Sequence, residues 1–97
     1  MREVLYHDED ILLQIEYIPE IDEYFLHTTV YQFSLSKAKK YIKGFGLILN
    51  KLKEQGITNL KAIPPSDKEE KWQKFFGFTD SLIRINGYKV MELDYGS

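Results

Sequence analysis

The sequence predicts an α+β domain, and three observations carry that expectation. Apolar residues alternate with others at Ile11, Leu13, Ile15 and Tyr17 and again from Tyr24 to Phe33, the period of strands with one buried face. From Ser36 the period changes, and Ala38, Tyr41, Ile42, Phe45, Ile48, Leu49 and Leu52 recur at helical spacing with the lysines mostly opposite. Near the C-terminus Asn86-Gly87, set between Ile85 and Tyr88, is the pairing that a tight type I′ hairpin favours, because both positions tolerate positive φ.

The elements follow in order. A short strand near Glu3 to Tyr6 turns at Asp8-Glu9-Asp10 into the first long strand, which turns at Pro19-Glu20 into the second. The long helix has Ser36 as its N-cap and Gly56 as its stop. Gly44 and Gly46 lie inside it, which implies close packing against a neighbour or a bend. A brief strand at about Asn59 to Ile63 leads to Pro64-Pro65, and Ser66 to Glu69 reads as a capping box opening a second helix that buries Trp72, Phe75 and Phe76. After Gly77 come the two strands of the hairpin. No internal repeat, low-complexity tract or linker interrupts the chain. Its 97 residues, 43% of them hydrophobic, form one domain, 1–97; such a domain buries roughly 60 to 65% of its unfolded surface in a single core.

Composition excludes several classes of function. The chain has no cysteine, so disulfides, a thiol nucleophile and cysteine-ligated zinc are out. No apolar run reaches the roughly 18 residues of a membrane span, and the acidic start lacks the basic and apolar regions of a signal peptide. The expectation is a soluble cytoplasmic protein without a membrane partner. The net charge of −2 hides a division: residues 1–24 hold eight acids against Arg2 alone, and residues 37–54 hold six lysines against Glu54 alone. The acidic third would repel a nucleic-acid backbone and points to a protein partner. The lysines read first as a solvated helix face. His7, Asp8 and Asp10 fall in one turn where oxygen ligation of a hard cation is conceivable, but turn geometry explains such residues, and no metal is expected. Ser34 and Ser36 read as helix-start residues rather than nucleophiles.

The order of three strands, long helix, strand, shorter helix and two strands, together with Trp72-Gln73-Lys74-Phe75-Phe76-Gly77-Phe78, resembles the Gcn5-related N-acetyltransferase (GNAT) fold without its first strand and first two helices. The aromatic helix ending in Gly-Phe is similar to that of short acetyltransferase-like proteins of tailed bacteriophages. The resemblance implies acetyl-CoA as cofactor, its pyrophosphate held on backbone N–H groups at the start of the long helix, where unpaired donors and the helix dipole suit an anion. Lys43-Gly44-Phe45-Gly46 imitates the family's glycine-rich signature, but a helix starting there would be about three turns long, and the apolar period starts at Ala38. The cofactor-binding residues are therefore Ser36, Lys37, Ala38, Lys39 and Lys40. In that register Phe33 stands where the family has arginine or glutamine.

The family's usual acid is a tyrosine just ahead of Gly-Phe, and Gln73 stands there, unable to protonate a thiolate. The catalytic candidates are His27, the only side chain of its strand that titrates near neutral pH, and Tyr31, four residues on along the same expected strand. Two functions follow: a minimal acetyl-CoA-dependent N-acetyltransferase, or a GNAT-like scaffold without chemistry that binds a host or phage macromolecule through the acidic N-terminal surface. The exposed edges of so small a sheet suit a homodimer.

Overall fold

A computed structural model describes residues 2–32 and 34–96. The elements are β1 (Arg2–His7), β2 (Ile11–Ile18), β3 (Glu23–Val30), α1 (Ala38–Glu54), β4 (Asn59–Ala62), α2 (Asp67–Phe75), β5 (Thr79–Ile85) and β6 (Tyr88–Asp94), with a 3₁₀ turn, Leu35–Lys37, leading into α1. The six strands form one mixed sheet in the order β1-β2-β3-β4-β6-β5. The fold is α+β, as the apolar periods imply.

The long strands pair antiparallel with Ile11 opposite Val30, Leu13 opposite Thr28 and Ile15 opposite Leu26. The period of 2 puts all six on one face. That face is covered by both helices: Tyr41, Phe45 and Leu52 of α1 and Trp72 and Phe76 beside them join Ile11, Leu13, Ile15, Leu26 and Val30 in one core. The helices meet each other through aromatic rings. Tyr41 stands nearly perpendicular to Trp72 at 5.3 Å, and Phe45 stacks on Phe76 at 4.4 Å. The opposite face carries Gln14, Glu16, His27 and Lys61 and no helix.

Several local expectations hold and others shift. Asn86 and Gly87 have φ of 52° and 82°, and Ile85 pairs with Tyr88, the type I′ hairpin read from the sequence. Gly77 and Gly56 both adopt positive φ directly after their helices, as helix stops do. β3 ends at Val30, so Tyr31 lies beyond the strand; the carbonyl of Asp10 accepts both the Tyr31 and Gln32 N–H groups and bends the chain away. Phe33, the far end of the expected strand, lies outside the described residues. The N-cap of α1 is Lys37 rather than Ser36, because the 3₁₀ turn, capped by Ser34, takes the residues before it. The Ser66 hydroxyl donates to the Glu69 carboxylate and caps no backbone N–H. Phe75 points outward at 37% exposure, while Trp72 at 1% and Phe76 at 7% are buried.

Close packing does not account for Gly44 and Gly46. A Cβ at either position meets nothing within 4 Å. Both positions have room for a methyl group, and Gly46→Ala is expected to raise stability by about 1 kcal/mol, a gain of about 4 to 8 °C in Tm for a domain this small. Thermal unfolding followed by circular dichroism measures it.

The sheet changes character between β3 and β4. These strands are parallel and meet at one registered pair, Phe25 with Lys61, before Ile63-Pro64-Pro65 leads β4 away. The released edge of β3 is finished by α2: the Val30 N–H donates to Glu69 Oε2 at 2.8 Å, and Lys68 Nζ donates to the Val30 carbonyl at 3.1 Å. A carboxylate and an ammonium thus replace the missing strand partner and satisfy backbone groups that burial would otherwise leave unpaired.

Candidate functional site

Two places gather chemistry. The first is the crevice where β3 and β4 part, a space of about 450 Å³ lined by Arg2, His27, Thr29, Pro64, Pro65 and Tyr88 among others. His27 stands on the helix-free face of β3, and its Nε2 lies 2.7 Å from Glu16 Oε1 on the neighbouring strand, one cross-strand diagonal away. The imidazole beside it holds the Glu16 carboxyl below the usual carboxylate range. Arg2 approaches the same carboxylate at 3.9 Å. An imidazole oriented by a carboxylate is the arrangement of a positioned proton acceptor.

Tyr31 does not share this crevice. It is 52% exposed and packs its ring against His7 at 6.1 Å, past the end of β3. Tyr88 lines the crevice with His27 instead. Neither Glu16 nor Tyr88 carries a sequence signal of its own: Glu16 reads as an outward strand residue and Tyr88 as the hairpin's second flank. Register alone brings them to His27.

The second place is the turn between β1 and β2, set against the start of α1. Tyr41, on the first turn of α1, brings its hydroxyl within 2.6 Å of Asp8 Oδ2 and 2.8 Å of Asp10 Oδ2. Tyr6 donates to Asp8 Oδ2 at 2.7 Å, and the N–H groups of Asp10 and Ile11 donate to Asp8 Oδ1 at 2.8 and 3.0 Å. Lys37 Nζ donates to Asp10 Oδ2 at 2.9 Å and reaches Glu9 at 3.5 Å, while Gln32 donates to Asp10 Oδ1. Asp10 is buried, at 1% exposure. Burial pushes the Asp8 carboxyl up, but the hydroxyls of Tyr41 and Tyr6 and the two N–H donors outweigh it and hold the group far below its ordinary value. The Lys37 ammonium and then the Tyr41 hydroxyl lower Asp10. One signal in the sequence points here: Tyr41 falls on the buried face of its helix, and a buried tyrosine hydroxyl needs a partner.

Of the five residues expected to hold a pyrophosphate, this network takes up Lys37. The N–H groups of Lys37 and Ala38 already donate to the carbonyls of Ser34 and Leu35 in the 3₁₀ turn. Ser36 is exposed with its hydroxyl 3.0 Å from that of Ser34, Lys37 is held by Asp10 and Glu9, and Ala38 is buried in the core at 7% exposure. Lys39 and Lys40 remain at the surface. Gln73 is fully buried, and its amide nitrogen and oxygen have no hydrogen-bond partner among the described residues. The start of α1 thus carries the Asp8 and Asp10 carboxylates beside Lys37, with the N–H groups of Lys37 and Ala38 already donating.

The acidic N-terminal third is also less available than its composition implies. Asp8 and Asp10 are held as above, Glu16 by His27, Asp22 by the Tyr17 hydroxyl at 2.6 Å, and Glu23 by Lys61 at 3.8 Å. His7 turns to Tyr31, and no cluster of metal-binding side chains forms among the described residues. No helix among the described residues is long and apolar enough to cross a membrane.

No family model matches the chain, and none of the curated proteins does. Among solved structures it is similar to a domain from Methanocaldococcus jannaschii DSM 2661, with a TM-score of 0.61 and 14% identity over 94% of this chain and 62% of that one. The chain thus spans less than two thirds of that structure's length, and the likeness is one of fold.

Proposed function

We propose that this chain is a GNAT-like domain that works by binding a macromolecular partner rather than by acyl transfer, as an accessory or virion protein of a tailed bacteriophage. The element order and the aromatic α2 ending in Gly77-Phe78 support the fold assignment. The observation that carries the functional reading is the Asp8, Asp10 and Lys37 network at the start of α1, with its Tyr41 link. It places fixed negative charge where the family's cofactor needs positive potential, and it neutralises the nearest lysine. In this reading the fold supplies a rigid frame, and the host cytoplasm or the virion is where it acts.

A second reading, the minimal N-acetyltransferase, is favoured by one observation, the His27–Glu16 pair in the crevice between β3 and β4. There His27 would take the proton of an amine acceptor, with Tyr88 beside it.

Thermal unfolding with acetyl-CoA and with coenzyme A, each at about 1 mM, separates the two. A ligand at 100 times its Kd adds roughly 2.7 kcal/mol, several degrees for this domain. The expected result is no shift with either. A clear shift that is lost in Ser36→Trp, a substitution at an exposed position, would overturn the binding-only reading and bring the transferase forward.

A further inference from the structure

We infer that the groove between α1 and the outer strands β1 and β2 docks an amphipathic α-helix with an acidic margin, carried by a partner protein. The inference names the partner of the binding role proposed above and rests on that reading. The ring contacts of Tyr41 with Trp72 and of Phe45 with Phe76 hold α1 and α2 side by side. The helix layer therefore stops short of the β1 edge of a sheet six strands wide. Two hollows mark the bare strip. The larger, about 820 Å³, is lined by Leu5, Ile15, Leu47, Ile48, Leu52 and Ile57 among others. The smaller, about 140 Å³, shares Ile48 and continues over Tyr6, Gly44 and Phe45.

On α1 the hollows run from Lys40 to Gln55, about 22 Å at 1.5 Å per residue, or roughly four helical turns. Across, the floor is the inward side of β1 beside the flank of α1, because Ile11, Leu13 and Ile15 of β2 are already buried; a helix packs beside another at an axis distance of about 8 to 10 Å. Gly44 offers no Cβ to hold an approaching backbone off. Leu47, at 64% exposure, is a large apolar side chain left in water along the groove. The dimensions and the apolar floor suit a helix with one hydrophobic stripe.

Charge selects its margin. Lys40 and Lys51 stand on the α1 side of the groove, and Glu3 stands on its β1 side. Neither they nor Lys39, Lys43 and Lys53 lie within ion-pair distance of a carboxylate among the described residues. Six N-terminal acids, Asp8, Glu9, Asp10, Glu16, Asp22 and Glu23, by contrast have partners within the chain. A partner helix with glutamates beside its apolar stripe meets the lysines and excludes water from the floor. A nucleic acid has no apolar stripe for that floor, and a second copy laid α1 against α1 would set lysine against lysine.

The test uses a synthetic amphipathic peptide of about 18 residues with leucines at helical spacing and glutamates on the one flank that would face α1, dye-labelled, titrated with the full chain by fluorescence anisotropy. The control peptide carries lysine in place of each glutamate. The glutamate peptide is expected to bind saturably, to weaken at high salt, and to lose about tenfold in affinity to Leu47→Asp and to Lys51→Glu. Both substitutions are at exposed positions, and unchanged thermal unfolding of each variant checks the fold. The lysine peptide is expected not to bind. Equal binding of the two peptides, unchanged affinity in both variants, or no binding of the glutamate peptide overturns the proposal. So does self-association of the chain that Leu47→Asp abolishes, which would assign the groove to a second copy. Peptide binding together with a coenzyme-dependent shift would remove the binding-only reading and leave the groove, whereas silence of the peptide alone removes the groove and leaves that reading.

Discussion

Trp72→Ala is expected to lower stability by about 3 to 5 kcal/mol, the range for deleting a buried aromatic side chain. The indole is 1% exposed and touches the rings of Tyr41, Phe75 and Phe76, so its loss opens the seam where α1 meets α2 and both meet the sheet. A domain of this size has total stability of roughly 5 to 15 kcal/mol, so the variant should unfold more than 10 °C below the parent or fail to fold at 37 °C. Phe75→Ala is the matched control: three positions along the same helix, 37% exposed, and expected to cost much less. Urea unfolding of the two variants reads the difference. Equal losses would mean that the aromatic seam is not where the domain gains its stability.

The second large effect is loss of stability in acid. Asp8, Asp10, Glu16, Glu70 and Asp80 all have carboxyls held below the ordinary range by hydrogen-bond donors, Tyr41 and Tyr6 for Asp8, Lys37 for Asp10, His27 for Glu16, Lys89 for Glu70 and Arg84 for Asp80. A carboxyl whose folded pKa lies below its unfolded value of about 4 binds fewer protons when folded. Its contribution is therefore complete above about pH 5 and is lost as pH falls through the unfolded value towards the folded one. Tm should be nearly flat from pH 7 to about 5 and drop steeply below 4, by several degrees per pH unit. Asp8→Asn should start from a lower Tm at pH 7 and show a shallower acid slope, because the group with the largest depression no longer titrates. An identical acid slope in Asp8→Asn would show that the β1–β2 turn is not a source of the pH dependence.

What the sequence discloses divides by distance along the chain. The type I′ turn at Asn86-Gly87, the stop at Gly77 and the start of α1 at Ala38 are local, each fixed by backbone preference or side-chain period within a few residues. The exposed Phe75 shows the limit of period alone: α2 is nine residues long, too short for the period to say which of Trp72, Phe75 and Phe76 turns outward. The candidate sites are not local. The Tyr41 hydroxyl meets Asp8 across 33 positions and Glu69 meets the Val30 N–H across 39, and neither pairing leaves a periodic trace. The early end of β3 has the same origin, because the Asp10 carbonyl that bends Tyr31 and Gln32 belongs to a turn 21 residues upstream of Tyr31. His27 is readable as a titratable strand residue, yet its partner Glu16 and its neighbour Tyr88 follow only from sheet register and order. The acidic third misleads as composition, since charges count as surface only when the fold leaves them unpaired.

The central claim is that the start of α1 is closed to a coenzyme by the chain's own carboxylates. It is tested most directly by following the backbone amide resonances of Ser36, Lys37, Ala38, Lys39 and Lys40 as coenzyme A is added to millimolar concentration. The account predicts that these five signals do not move beyond the small uniform drift that added salt produces. Saturable shifts confined to them would contradict it, and would place a diphosphate where Asp8 and Asp10 now hold Tyr41 and Lys37.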